Sequence, residues 1–373
     1  MEQIILNNYN NYQSLTEFFQ TKHISKILVV CDSAFRFLGN IRLYIENLFV
    51  NLNIETVFFS DFQPNPNYES VVNGIASYKN NQCDSILAIG GGSAIDVAKC
   101  IKLYVNLPDN CDYLQQTIVP NDIPFIAIPT TAGTGSEATR YAVIYKDGEK
   151  QSITDKSIIP SVVLFDENVL ETLPDYQRKS TMLDAFCHAI ESYWSVNSTD
   201  ESKEFSKKAI SLILENYESY LNNDSSANRK MLEAANVAGK AINITQTTGG
   251  HAMCYKLTSL YNIAHGHAAA LCVSVLWPYM IENTDKCCDP RGKEYLDKMF
   301  EDLSTVLGGC NSKSGADTFN RILLGLKLNI PVANNEDDYA VLAKSVNPVR
   351  LKNNPIKLDE QTIENLYRQI LRR

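Results

Sequence analysis

Short β-rich runs alternate with amphipathic stretches through the first half of the chain, and that rhythm restricts the fold more than any other feature. Lys26–Val30, Glu55–Phe59, Ser85–Ile89 and Pro124–Pro129 carry the branched and aromatic side chains of strands. Between them, Arg36–Leu52, Tyr68–Asn80 and Ala94–Tyr104 show helical spacing of apolar positions. Strands separated by helices predict a parallel sheet with helices on both faces. From about Pro174 the texture becomes helix after helix: Arg178–Ser195, Glu201–Leu221, Ala227–Thr245 and further stretches to Arg373. The expected architecture is an α/β domain over residues 1–165 and an all-α domain over 166–373, joined within Ile159–Pro174. Two domains suit a chain of 373 residues, because a single core stops growing at about 250–300 residues.

Composition narrows the function classes. The 43 acidic and 34 basic residues give a net charge of -9, with no Lys/Arg run, so no nucleic-acid partner is expected. The longest apolar run, around Ala268–Trp277, is shorter than the roughly 18 residues of a membrane span, so no membrane partner is expected either. The opening MEQIILNNYNNYQSL lacks the basic-then-apolar pattern of a signal peptide. Ten cysteines are scattered without a CxxC pair. They read as reduced thiols of a cytoplasmic protein, and metal ligands are expected among the five histidines and the carboxylates.

Two loops have the chemistry of nucleotide binding. Ser85–Ile89 runs into Gly90-Gly91-Gly92 and Ser93, then into a helix carrying Asp96 and Lys99. Glycines let backbone N–H groups approach a phosphate, and a helix N-terminus favours its charge. The spacing is not GxGxxG, so an ordinary Rossmann fingerprint is absent. After the strand at Phe125–Ile128 comes Pro129-Thr-Thr-Ala-Gly-Thr-Gly-Ser-Glu137, rich in hydroxyl donors. Both loops follow strands of one parallel sheet, where a nucleotide crevice forms.

Asp184 and His188 are four residues apart in a helical segment and share a face. His251 and His265 are fourteen apart. On one unbroken helix they would lie about 21 Å from each other, whereas ligands sit roughly 2.0–2.2 Å from a shared ion. Either the helix ends between them or they do not share an ion, and Ser259–Ala264 with Gly266 offers a break. One carboxylate and three imidazoles suit Fe(II) or Zn(II) with a position open for substrate.

GGGSAIDVAK (90–99), PTTAGTGSEAT (129–139), DAFCHAIE (184–191) and the His251/His265 pair resemble, in order and over nearly the whole chain, the iron-dependent alcohol dehydrogenase family. The resemblance implies the dehydroquinate synthase-like architecture: a dinucleotide-binding domain with a Rossmann-like parallel sheet, then a helical metal- and substrate-binding domain. It implies Asp184, His188, His251 and His265 as ligands of one divalent metal. Gly91, Gly92, Ser93 and Asp96 would meet the pyrophosphate, Thr130, Thr131, Thr134 and Thr139 would line the cofactor crevice, Lys150 would lie near the ribose, and Asn65 would contact the cofactor. Asp32, after the first strand, favours NAD(H) over NADP(H) by repelling a 2′-phosphate. A homodimer is the family's habit.

The chain also departs from the family's usual pattern. Tyr255 stands where many members carry a second histidine near the substrate, and Tyr255 with His267 become the candidates for proton transfer. Arg350 stands where small or thiol side chains are common, and Arg140 where apolar ones are. With Lys256, Tyr141 and Thr247 they form the candidate substrate set, and guanidinium groups suit a phosphonate, phosphate or carboxylate. The segments HAMCYKLTSLY and NPVRLKNNP resemble the phosphonoacetaldehyde reductase subgroup, implying reduction of a small anionic aldehyde to 2-hydroxyethylphosphonate. Alternatives are a general short-chain alcohol or lactaldehyde dehydrogenase, and a lyase like dehydroquinate synthase, whose typical first ligand is a glutamate.

Overall fold

The computed structural model describes residues 3–371 apart from 8 and 110. The chain divides into two compact units, Met1–Thr131 with Gly135–Leu173, and Ala132–Thr134 with Pro174–Arg373. The change at Leu173 comes after the 165/166 join read from texture. A short 3-10 turn, Glu167–Leu170, follows the last strand and buries Val169 and Leu170 in the first unit.

The first unit runs β1 (Ile4–Asn7), α1 (Tyr9–Thr21), β2 (Lys26–Cys31), α2 (Gly39–Leu52), β3 (Glu55–Phe59), α3 (Tyr68–Asn80), β4 (Ser85–Gly90), α4 (Gly92–Tyr104), β5 (Phe125–Pro129), β6 (Tyr141–Lys146), β7 (Glu149–Thr154) and β8 (Val162–Phe165). Six strands form one sheet in the order β1-β8-β5-β4-β2-β3, and every pairing is parallel. Strands β4, β5 and β8 are buried along their whole length, and β2 from Ile27 on. Continuous apolar runs of this kind belong to a sheet covered on both faces. The chain steps from β2 outward to β3, then returns to lay β4 on the other side of β2. That reversal of strand order opens a crevice beyond the carboxyl ends of β2 and β4. Outside the sheet, β6 and β7 form an antiparallel hairpin that the sequence reading left out. Its turn, Asp147-Gly148, takes positive φ at both residues (53° and 78°), as a tight primed turn requires.

The second unit contains α5 (Asp175–Trp194), α6 (Asp200–Leu221), α7 (Ser225–Thr245), α8 (Gly249–Tyr261), α9 (His265–Glu282), α10 (Lys293–Val306), α11 (Ser312–Gly325), α12 (Asp337–Lys344), α13 (Pro348–Leu351) and α14 (Glu360–Ile370). Helix α5 is buried on nearly every side from Met182 to Trp194, which makes it the central helix. Thr199 and Ser202 form a reciprocal cap on α6, and Asp224 caps α7 by accepting from Ala227 N. Pro278 lies inside α9 and cannot bond back to the Ser274 carbonyl. Asn320 Nδ2 donates to that carbonyl instead, at 3.2 Å. No helix among the described residues is long and apolar enough to cross a membrane.

Candidate active site

Three of the expected ligands converge. One ligand atom from each of Asp184, His188 and His251 lies within 4.8 Å of the others, and all three residues are buried. The first two sit one turn apart on α5, and His251 enters from the first turn of α8. The His188 and His251 rings stack with centroids 4.5 Å apart and planes 14° apart. Asp184 Oδ1 lies 3.4 Å from His251 Nε2 and 4.0 Å from His188 Nε2. Asp184 Oδ1 and His251 Nε2 are buried without a hydrogen-bond partner among the described residues. Buried ligand atoms grouped in this way could hold a cation.

Glu191 sets the chemistry of His251. Its Oε2 pairs with His251 Nδ1, while Oε1 accepts from Thr248 Oγ1 at 2.6 Å, Thr248 N at 3.1 Å and His251 N at 3.3 Å. Holding a proton on Nδ1 leaves the Nε2 lone pair for a ligand, the usual arrangement behind a metal-bound histidine. Burial disfavours charge on His251, but Glu191 and Asp184 outweigh it and raise the imidazole to about 9, so a bound ion would displace the Nε2 proton. Burial pushes His188 down to about 4, so it stays neutral. Burial works against the Asp184 carboxylate, yet His188, His251 and His265 hold it well below the ordinary range. A neutral imidazole beside an ionised carboxylate is ready to take a divalent ion. Glycines make the convergence sterically feasible. A Cβ on Gly250 would sit 3.1 Å from Glu191 Cδ, and one on Gly266 would sit 2.0 Å from the Ser180 carbonyl and 2.6 Å from Asp184 Cβ.

His265 adjoins the cluster. The expected helix break occurs at Asn262, which takes a left-handed conformation (φ 51°) after α8, and α9 begins at His265. The His265 ring centroid is 5.4 Å from that of His251. Its nitrogens lie outside the three-residue group, with Nδ1 3.5 Å from Cys254 Sγ. Tyr255 stacks on the His265 ring at 5.5 Å. The expectation for His267 needs correction. Two residues along a helix point to widely separated faces, and His267 Nδ1 pairs with Tyr176 Oη at 3.2 Å rather than joining the cluster.

In the α/β unit, Asp32 and the glycine turn meet at the strand-order reversal. A Cβ on Gly90 would lie 3.0 Å from Asp32 Oδ2, so glycine lets the carboxylate lie against the turn. Gly91 is the N-cap of α4 and has no side-chain cap, which leaves the first N–H groups of Gly92 and Ser93 available to an anion. Thr131 packs beside Gly91, and Thr130 N donates to the Gly90 carbonyl at 3.0 Å. Asn65 takes a left-handed conformation (φ 59°) in an exposed turn, whose Pro66 carbonyl accepts from Tyr145 N at 2.8 Å. Lys150 lies on β7 opposite Tyr145. Thr134 belongs to the second unit, where Gly133 packs against Thr181.

Two cofactor residues have other duties. Asp96 accepts from Ser136 Oγ (2.6 Å) and Val143 N (3.0 Å), so both of its oxygens are used inside the unit. A carboxylate would repel a pyrophosphate, whereas here it fastens the loop to β6. Thr139 is buried, its Oγ1 accepting from Lys99 Nζ at 3.1 Å. Lys99, fully buried, also reaches the carbonyls of Ser136 (2.6 Å), Thr139 (2.8 Å) and Tyr141 (2.7 Å). Both residues build the threonine loop from behind. Burial pulls the Lys99 ammonium down to about 8, against the attraction of Asp96 and Glu137.

Comparison with known proteins agrees with this layout. Residues 3–167 match the model for iron-containing alcohol dehydrogenase, and residues 179–371 match the C-terminal model of the Fe-containing alcohol dehydrogenase family. The chain belongs to the iron-containing alcohol dehydrogenase family. It is 33% identical to aldehyde-alcohol dehydrogenase 2 of Entamoeba histolytica over 80% of this chain and 37% of that protein. It therefore spans well under half the length of that relative. It is 30% identical to phosphonoacetaldehyde reductase of Streptomyces viridochromogenes over 76% of this chain and 75% of that one. The crystal structure of sulfoacetaldehyde reductase from Bifidobacterium kashiwanohense in complex with NAD+ shares the fold. It has a TM-score of 0.87 at 24% identity and covers 99% of this chain and 96% of that one.

Within this member of the iron-containing alcohol dehydrogenase family, the substrate candidates fall on both units. Arg350 Nη1 donates to Gln246 Oε1 at 3.4 Å. Asn353 Nδ2 donates to the same oxygen (3.2 Å) and to the carbonyl of buried Thr247 (3.1 Å). Lys256 is half-buried on α8. In the α/β unit, Arg140 donates to Tyr141 Oη through Nε (3.2 Å) and Nη2 (3.0 Å). Sequence reasoning missed Glu191 and Gln246, and gave Lys99, which it placed on the helix after the glycine loop, no role. The i, i+4, i+7 spacing of Asp184, His188 and Glu191 is the signal that could have found the first. Gln246 takes φ 60° and ψ 178°, a conformation seldom open to anything but glycine, and nothing in the local sequence marks it.

Proposed function

We propose that this chain is a metal-dependent, NAD(H)-linked oxidoreductase that reduces a small anionic aldehyde to a primary alcohol. Phosphonoacetaldehyde, giving 2-hydroxyethylphosphonate, is the proposed substrate. The observation that carries the reading is the buried Asp184–His188–His251 cluster with Glu191 behind it. Asp184, His188 and His251 would hold an Fe(II) or Zn(II) ion, with His265 beside them as the fourth ligand. When bound, the ion supplies Lewis-acid polarisation of a carbonyl oxygen, and a reduced dinucleotide supplies the hydride.

The chain's own residues do the rest. Glu191 keeps the proton on His251 Nδ1, so that Nε2 stays basic. Gly91, Gly92 and Ser93 bind pyrophosphate through backbone N–H groups at the start of α4. Asp32 accepts from ribose hydroxyls and repels a 2′-phosphate, which favours NAD(H). Arg350, steadied by Gln246 Oε1, offers its remaining N–H groups to the phosphonate, and Lys256, in the same unit, adds positive charge. Fixing the anionic end orients the aldehyde. Tyr255 Oη, on the ring stacked against His265, gives the proton to the alkoxide oxygen. The 30% identity to a phosphonoacetaldehyde reductase and the arginine at 350 support this substrate class.

The test is a panel of aldehydes with NADH absorbance, run on protein loaded separately with Fe(II) and Zn(II). Metal-dependent NADH loss with phosphonoacetaldehyde, exceeding that with acetaldehyde or lactaldehyde in kcat/KM, is expected. Preference for the neutral aldehydes overturns the substrate, and no NADH loss with any aldehyde overturns the oxidoreductase.

A further inference from the structure

Tyr176 lies on the first turn of α5, two turns before Asp184. Its hydroxyl accepts from Ala264 N at 2.9 Å and pairs with His267 Nδ1 at 3.2 Å. Its ring meets the His267 ring edge-on, with centroids 5.9 Å apart. The two partners flank His265 in the chain. Ala264 is the N-cap of α9 and has no side chain able to cap it, so the start of this helix receives no side-chain cap. A hydroxyl that accepts from Ala264 N keeps its own proton for His267 Nδ1. That order places the remaining ring proton on His267 Nε2, which is buried and has no partner among the described residues.

We infer that Tyr176 is a positioning residue for the metal centre, clamping the turn that presents His265 onto the helix that carries Asp184 and His188. The inference rests on the metal reading proposed above. Only three residues, Asn262–Ala264, separate α8 from α9, and the first of them holds a left-handed turn. The angle at which α9 starts is therefore not fixed by its own cap. One phenol bonded on both sides of His265 fixes it, with both bonds anchored to the helix that supplies two other ligands. Hydrogen-bond partners of metal ligands typically govern affinity by 10–100-fold, and Tyr176 acts one bond further out, on the residues either side of His265.

Full-length protein stripped of metal and titrated with Zn(II), or with Co(II) followed by its visible spectrum, tests the clamp. Tyr176→Phe keeps the ring contact and deletes the hydroxyl. It is expected to weaken metal binding about tenfold or more and to alter the Co(II) band, while the melting temperature of the metal-free protein barely moves. His267→Asn, which keeps an acceptor near the Nδ1 position, is expected to stay near wild type, and His267→Leu to follow Tyr176→Phe. Wild-type affinity and spectrum in Tyr176→Phe, beside a defective Asp184→Asn control, overturn the clamp alone. Absence of metal binding in the wild type, or undiminished binding in Asp184→Asn, overturns the metal reading and the clamp with it.

Discussion

Gly266→Ala is a small change with a calculable consequence. A Cβ at this position would lie 2.0 Å from the Ser180 carbonyl oxygen and 2.6 Å from Asp184 Cβ. Carbon–oxygen contacts settle at about 3.3–3.6 Å and carbon–carbon contacts at about 3.5–4.0 Å. Both obstacles belong to α5, so relief requires the first turn of α9 to retreat by roughly 1 Å. Metal–ligand distances tolerate only about 0.2 Å. The shift would carry His265 away from the Asp184 cluster. Overpacking of this kind costs about 1–3 kcal/mol. For a unit of this size that is a fall in melting temperature of roughly 2–12 °C. Gly325→Ala is the control: it closes α11, meets nothing within 4 Å, and is expected to be neutral or stabilising by up to about 1 kcal/mol. The assay is thermal unfolding of the metal-free proteins, with equilibrium dialysis against Zn(II). If Gly266→Ala melts and binds metal like the wild type, the close approach of α9 to α5 is not what holds the centre together.

Three further outcomes follow from the geometry. Lys99→Met strands two buried carbonyls and a part-buried one and leaves Asp96 without its nearby cation, and is expected to destabilise by on the order of 3–5 kcal/mol in denaturant titrations near neutral pH. Lys99 titrates at about 8 in the folded chain against an ordinary 10.5. Below pH 8 both states hold the proton; above it the unfolded state holds more, so this group makes stability rise with pH up to about 10.5. The wild-type advantage over Lys99→Met should accordingly widen across that window, and a constant or shrinking gap contradicts the assignment. Glu191→Gln removes the carboxylate from His251 Nδ1 and should weaken Zn(II) affinity about 10–100-fold; dialysis showing no change would mean that Glu191 does not orient the ligand. Arg350→Ala should raise KM for phosphonoacetaldehyde about tenfold or more and leave that for a neutral aldehyde nearly unchanged, whereas equal effects reject the anion clamp.

The parts legible in the sequence are those with a period or a motif. Glu55–Phe59 and Tyr68–Asn80 lie where composition and spacing placed them. The strand at Ser85 runs into the glycine turn as expected. The helix break between His251 and His265 could be argued from reach alone, and Asn262 supplies it. The hairpin β6–β7 was missed although Asp147-Gly148 is its signal, because the flanking residues Tyr141–Lys146 and Glu149–Thr154 mix polar and apolar side chains. Strands β1 and β8 have only four residues each, too short for a period to register. Asp96 illustrates a different limit. Its place in a glycine motif pointed to the cofactor, and only coordinates reveal that Ser136 and Val143, some forty residues away in sequence, use both of its oxygens. The Tyr176–His267 pairing is 91 residues apart and has no sequence signature at all.

The edge of the large sheet has a consequence for how this chain is made. Ile4 pairs with Val162, so the first strand of this sheet to be translated finds its partner only after roughly 160 further residues have been added. At about 5–20 residues per second that is a wait of roughly 8–30 s. The inner strands from Lys26 to Pro129 are all translated by then, so the nascent domain should assemble from its middle outward and add Ile4–Asn7 last. Arrested nascent chains ending between Pro129 and Ile159 should already resist brief proteolysis over the inner strands, with Ile4–Asn7 still open to cleavage. Protection of that segment before Val162 emerges would show that β1 docks without its partner.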